Sequence, residues 1–367
     1  LKRRNILVKN RFFFQALSEG KISRSHHIKL NNGINLGGYL SQCEHSKNHY
    51  ESFITEQDII TISTWGFDHV RVPVDHTLLE DPYGNEKKEG FEILKRLTVW
   101  CERNGLNMII DLHKTHGYDF SEAGNKSSNC LFSSERLQKH FISLWEKIAW
   151  HYGKKKHVAF ELLNEVIEIE YTKKWNRLIE QCVAAIRAIT EDTIIIYGGL
   201  QWNSAKTLRF LKKPEHENIV FTFHFYEPLV FTHQKAYWVP ELDTDETVMY
   251  PGDMAYYKEK SKVLGCRAEE ILNSRLNHMG RQFIEEFLQE AFDAIEGIQV
   301  PLYCGEYGVI NKAPAADTLR WYQDVHRVLE KYGIGHCAWN YKSKDFGLFD
   351  SHYDGIREQL FASRQIE

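Results

Sequence analysis

The sequence predicts a (β/α)8 barrel with one small insertion, and three observations predict it. From Asn31 onward, short apolar or β-branched runs alternate with longer stretches of helical spacing, the mark of βα units around a parallel sheet. Eight such pairs occur, and their strands are near-continuously apolar, as strands covered on both faces must be. Polar side chains cluster directly after those runs, at the end of the barrel where enzymes of this class carry their sites.

Taken in order, the strand Gly33–Leu36 leads to a helix over Glu56–Thr64, His69–Val72 to Phe91–Asn104, and Asn107–Leu112 to Ser134–Tyr152. His157–Leu162 leads to Thr172–Ile189, Thr193–Tyr197 to a short helix near Ser204–Leu211, and Ile219–Phe225 to Arg281–Ile298. Leu302–Cys304 leads to Asp317–Tyr332, and His336–Trp339 to Gly355–Ser363. The sixth connection breaks the rhythm, because structureless loops as long as the one before Arg281 are uncommon in compact domains. An inserted subdomain over 232–279 is expected, with Tyr237, Trp238, Tyr250, Tyr256 and Tyr257 available for a small core of its own. Residues 1–30, strongly basic, read as an N-terminal extension to a catalytic domain spanning 31–367.

The 367 residues carry 46 basic and 50 acidic side chains, a net charge of −4 that offers no general attraction to nucleic acid or anionic lipid. No apolar run reaches the roughly 18–20 residues of a membrane-spanning helix. A neutral small-molecule or polymer ligand is expected, with no nucleic-acid or membrane partner and a monomeric chain. Seven scattered cysteines without a CxxC pair suggest neither a zinc site nor a disulfide framework. The sequence shows no secretory signal core, and localisation stays open. Nine Trp, 18 Tyr and 21 Phe are a high aromatic share; beyond core filling, flat Trp and Tyr faces suit the C–H faces of sugars.

The strand ends converge on one chemistry. Arg71 follows the second strand, Asp111-Leu112-His113 the third, Asn164-Glu165 the fourth, His224-Phe225-Tyr226 the sixth, Glu306 the seventh and Trp339 the eighth. Glu165 and Glu306 each terminate a run otherwise suited to burial, and a buried carboxylate needs a compensating partner. Strands four and seven lie across an eight-strand ring, so the two carboxyls could approach to the ~5–5.5 Å of a retaining glycosidase. Glu306 is then the nucleophile and Glu165 the acid/base. Arg71 and Tyr226 would hold the Glu306 carboxylate, and Asn164 would bond the sugar 2-hydroxyl. His113 and His224 would orient these groups, and Trp339 would floor the sugar site. A bell-shaped pH profile follows, with Glu165 deprotonation as its alkaline limb.

The set Arg71, His113, Asn164-Glu165, His224-x-Tyr226, Glu306 and Trp339 resembles the signature of glycoside hydrolase family 5 over nearly all of 31–361. Gly33-Ile34-Asn35-Leu36-Gly37-Gly38, Phe160-Glu161-Leu162-Leu163-Asn164 and Leu302-Tyr303-Cys304-Gly305-Glu306 look most like compact clostridial endoglucanases. The resemblance implies a retaining barrel without metal or organic cofactor that cleaves internal β-1,4 bonds of cellulose-like or mixed-linkage glucans. It also implies an insertion after strand six, and makes Asn35 and Trp238 candidate substrate contacts. Lys114 stands where relatives often have His or Asn, which bears on substrate preference. The rivals are the same mechanism on mannan, xylan or xyloglucan, an exo-acting β-glucosidase, and a silent glycan-binding barrel, which should have lost one of the two glutamates. A metal-dependent or serine hydrolase lacks its HExxH or GxSxG motif.

Overall fold

The computed structural model describes residues 28–125, 127–298 and 300–362. The basic extension therefore lies, up to residue 27, outside the described residues, as does Ser363 of the final expected helix. The strands are β1 (Asn32–Asn35), β2 (His69–Asp75), β3 (Asn107–Lys114), β4 (Val158–Glu161), β5 (Ile195–Gly198), β6 (Ile219–Phe225), β7 (Gly252–Asp253), β8 (His278–Met279), β9 (Leu302–Tyr307) and β10 (Gly335–Ala338). Eight of them close a parallel barrel in the order β1-β10-β9-β6-β5-β4-β3-β2, while β7 and β8 pair antiparallel outside it.

Side chains alternate across each strand, so one parity fills the barrel and the other meets the helices. Ile109, Ala159, Ile196, Val220, Tyr303 and Cys337 form the interior plug, with Leu30 closing the lower end. The opposite parity, including Val70, Val72, Ile110, Phe160 and Phe221, packs against the helices in one continuous core. Each long helix presents an apolar stripe to that core: Leu94, Leu97 and Cys101 on Lys88–Arg103, and Phe141, Leu144, Trp145 and Ile148 on Glu135–Tyr152. Ser134 lies outside the latter helix as its cap, its hydroxyl accepting from the Leu137 amide.

Two elements differ from expectation. The stretch near Ser204 forms a six-residue 3-10 helix, Ala205–Phe210, rather than an α-helix. The insertion, with helices over Met254–Ser261 and Glu269–Asn273, has no core separate from the barrel's. Tyr250 and Tyr257 are buried, but Tyr250 packs on Phe231 and its hydroxyl donates to Asp324 on the Ala315–Tyr332 helix at 3.0 Å. Tyr237 and Tyr256 stay exposed. The seven cysteines are free thiols, four of them buried, and no helix among the described residues is long and apolar enough to cross a membrane.

Candidate active site

Arg71 organises the C-terminal mouth of the barrel. Its parity on β2 points it inward, and it is fully buried. Nε and Nη2 donate to Glu161 at 2.8 and 2.9 Å, Nη1 to Glu306 Oε1 at 2.7 Å and to Asn35 Oδ1 at 3.0 Å. Nη2 also donates to Asn164 Oδ1 at 2.9 Å and lies 3.1 Å from Asp111 Oδ2. One guanidinium thus faces three carboxyls, with Glu165 close by. A single positive charge cannot offset that many buried negative ones, so protons must remain on some of them near neutrality. Burial pushes both Asp111 and Glu165 up to about 7 against the opposing pull of Arg71.

Glu306 reaches this cluster through a bulge. Tyr303 points into the barrel, and simple alternation would turn Glu306 outward. The register instead slips by one residue between Phe223↔Cys304 and His224↔Glu306, with Gly305 as the extra residue. A side chain at Gly305 would meet Thr222 Oγ1 at 2.7 Å, and the Gly305 carbonyl accepts from Asn35 Nδ2 at 3.0 Å. Glu306 Oε2 accepts from the Tyr226 hydroxyl at 2.9 Å. Burial and the facing carboxylate hold that phenol well above its ordinary range, so it remains a donor.

Glu165 follows β4 with a left-handed backbone, φ 44°. Such a conformation persists in a non-glycine residue only where its surroundings impose it. Tyr118 does so: its hydroxyl donates to the Glu165 carbonyl at 3.1 Å and accepts from the Ile167 amide at 2.8 Å. Glu165 Oε1 lies 2.8 Å from His224 Nδ1, which is 3.7 Å from Glu306 Oε2. Burial lowers His224 to about 4, so the ring is neutral. Asn203 Nδ2, 3.2 Å from Nε2, donates into the other ring nitrogen and thereby places the proton on Nδ1, facing Glu165. Glu165 Oε2 is left to carry a transferable proton.

His113 is also neutral, lowered to about 4 by burial, and its Nδ1 donates to Asp111 Oδ2 at 2.6 Å. The Nε2 lone pair is then available to the cleft, which His113 lines. Its ring lies parallel to that of Trp339, 5.9 Å away. Gly37 permits this floor, since a Cβ there would stand 3.0 Å from the Trp339 ring.

The cleft above these groups measures about 630 Å³ and is lined by Phe120, Trp202, Tyr237, Trp238, Trp339 and Phe346 beside the polar centre. Trp238 is where the sequence places it, half-exposed on the insertion side. Asn35 is not: it is wholly buried beneath the floor, with Oδ1 on Arg71 and Nδ2 on the Gly305 and Ala338 carbonyls. No polar atom of Asn35 is left for a ligand, and its place as a substrate contact is corrected to that of a brace. Asn164, by contrast, keeps an unpartnered Nδ2 and lines the cleft. The sequence reading missed the roles of Glu161, Tyr118 and Asn203. An acid within the buried run Val158–Glu161 was a visible signal for the first; the others depend on contacts far apart in sequence.

Oxygens of Glu165 and Glu306 lie within 4.8 Å of each other, with His224 between them. One carboxyl keeps its proton to about pH 7, and the other is anchored by a guanidinium and a phenol. Such a pair can protonate one side of an acetal and attack the other.

Residues 31–345 match the family model described as cellulase (glycosyl hydrolase family 5). The chain is 37% identical over 340 residues to endoglucanase C of Acetivibrio thermocellus, covering 91% of this chain and 97% of that protein. It is 36% identical over 303 residues to cellodextrinase A of Ruminococcus flavefaciens, 82% of each. Among solved structures, Thermotoga maritima Cel5A in complex with mannotriose superposes with a TM-score of 0.69 at 25% identity, covering 91% of this chain and 97% of that one.

Proposed function

The chain belongs to glycosyl hydrolase family 5, and from that premise we propose a retaining, endo-acting β-glucanase that cleaves internal β-1,4 bonds of cellulose-type and mixed-linkage β-1,3-1,4-glucans. The observation that carries the reading is the approach of Glu165 and Glu306 to within 4.8 Å, near the carboxyl spacing of retaining enzymes. Glu165 donates its proton to the departing glycosidic oxygen while Glu306 attacks the anomeric carbon, forming an ester and breaking the C–O bond. Glu165, now ionised, takes a proton from water, whose oxygen displaces Glu306 and restores both groups. Asn164 Nδ2 donates to the hydroxyl adjacent to the reacting carbon, and Trp339 supports the ring by stacking. His113 Nε2 accepts from a sugar hydroxyl.

Reducing-sugar release and product sizing on carboxymethylcellulose, barley mixed-linkage glucan, mannan and xylan test the substrate. Rapid shortening of both glucans is expected, and activity confined to mannan or xylan would overturn the claim. Mannan is the second reading, because the Thermotoga relative is seen with mannotriose.

The alkaline limb of kcat/KM should fall near pH 7, where the Glu165 proton is lost. Burial raises this acid, so the protonated, active form extends to higher pH than an ordinary glutamate allows. Glu165→Gln should lower turnover by about 10²–10⁴-fold on substrates with poor leaving groups and abolish that limb. A retained limb would show that another group supplies the proton.

A further inference from the structure

A second cluster of ligating side chains lies outside the cleft. Glu80 follows the short helix His76–Leu79 after β2, His116 follows β3, and His140 stands on the Glu135–Tyr152 helix. One ligand atom from each falls within 4.8 Å of the others. None of the three lines the cleft.

Three features mark this as more than a surface ion pair. Glu80 is 97% buried, at 3% exposure, yet its Oε1 makes no hydrogen bond, and the same holds for His116 Nε2 and His140 Nδ1. His116 Nε2 and Glu80 Oε1 are in ion-pair contact at 3.2 Å but outside hydrogen-bond geometry, and both atoms lie in the same small space as His140 Nδ1. Three buried polar atoms without a hydrogen bond in one place are costly, and with each imidazole in the tautomer that turns a lone pair inward, a cation between them would satisfy all three. The outer contacts are also built. Glu80 Oε2 accepts from Lys147 Nζ at 3.0 Å, and that ammonium is held by the Gly84 carbonyl, so the carboxylate is fixed with Oε1 turned to the cluster.

We propose that Glu80 Oε1, His116 Nε2 and His140 Nδ1 bind one divalent transition-metal ion of the zinc type. Two imidazoles and one carboxylate are a borderline N/O donor set that suits Zn²⁺ and leaves a fourth position to water. The half-buried histidines give the ion an entry path. Its work is mechanical: it ties the loops after β2 and β3 to the Glu135–Tyr152 helix, on the side of the barrel that carries Arg71 and His113. The Lys147 charge beside Glu80 repels the ion and limits affinity.

The test uses the full chain without a polyhistidine tag, stripped with chelator and then dialysed against micromolar Zn²⁺. Wild type, His140→Ala and Glu165→Gln are compared, because Glu165, His224 and Glu306 are a second set of potential ligands. One zinc per chain is expected in wild type and Glu165→Gln, and none in His140→Ala. At saturating Zn²⁺ the thermal midpoint of wild type and Glu165→Gln should rise by about 2–5 °C, with no rise in His140→Ala. Co²⁺ in place of Zn²⁺ should give wild type the intense visible absorption of a four-coordinate site. Failure of wild type to retain zinc would overturn the proposal. So would an ion kept by His140→Ala but lost by Glu165→Gln, since that ion would sit in the cleft.

Discussion

Glu306→Gln is expected to fold, bind glucan and turn over at least about 10⁴-fold more slowly than wild type, the scale on which removal of an attacking nucleophile falls. The amide keeps the shape of the carboxylate and an oxygen for the Tyr226 hydroxyl, but cannot form the ester. Stability should move far less than turnover. Arg71 faces Asp111, Glu161 and Glu306 together, an excess of buried negative charge over positive. Neutralising one of the three relieves repulsion among the rest, but the amide has one oxygen for two donors and turns its NH2 toward the Arg71 guanidinium, so the two effects oppose and the thermal midpoint of Glu306→Gln should stay close to that of wild type. Glu306→Gly opens a space beside Arg71 that a small anion can occupy. Azide should then restore cleavage of an activated β-glucoside and yield the inverted α-glycosyl azide, whereas a β-product would assign the nucleophile elsewhere. Measured turnover within tenfold of wild type in Glu306→Gln would sink the double-displacement mechanism outright.

The barrel was legible because parallel strands covered on both faces leave uninterrupted apolar runs, and helices leave stripes; Ile219–Phe225 and Glu56–Thr64 coincide with their expected limits. What the runs do not encode is where pairing stops. Thus β2 runs on to Asp75 and β9 to Tyr307, lengths set by neighbours across the barrel. The insertion's aromatic residues suggested a separate core, yet aromatic content alone does not say which surface they cover, and Tyr250 covers the barrel's own helix. At the site, charge terminating an apolar run was informative, and Arg71, Glu165, His224, Tyr226 and Glu306 do meet in space. Asn35, a candidate through the family resemblance alone, sits below the floor, because a polar strand end can face a ligand or another strand with equal sequence logic. The bulge at Gly305 that turns Glu306 inward, and the Tyr118 clamp on Glu165, are products of register and long-range contact.

Arg71→Met should carry the largest stability loss of any substitution at the mouth of the barrel. The methionine fills much of the same volume, so the effect is electrostatic rather than a cavity. It leaves the Glu161 carboxylate without both of its guanidinium bonds, Glu306 without its 2.7 Å partner, and the oxygens of Asn35 and Asn164 without donors. Removing one member of a buried charge cluster costs about 3–5 kcal/mol. Arg71→Lys should recover only part of this, because one ammonium cannot reach Glu161 in bidentate fashion while also bonding Glu306 and Asn164. The deficit has a pH signature through Asp111. Burial already holds that acid at about 7 with Arg71 pulling it down, so without Arg71 its folded value moves higher still. A carboxyl whose folded value is raised keeps its full contribution at low pH and loses it as the group is forced to ionise. The gap between wild type and Arg71→Met should therefore widen as pH climbs through about 7 and narrow on acidification. Chemical unfolding of the two proteins from pH 5 to pH 9 measures it. A gap constant across that range would mean that Asp111 does not depend on Arg71 for its charge, and that the cluster is held by its hydrogen bonds alone.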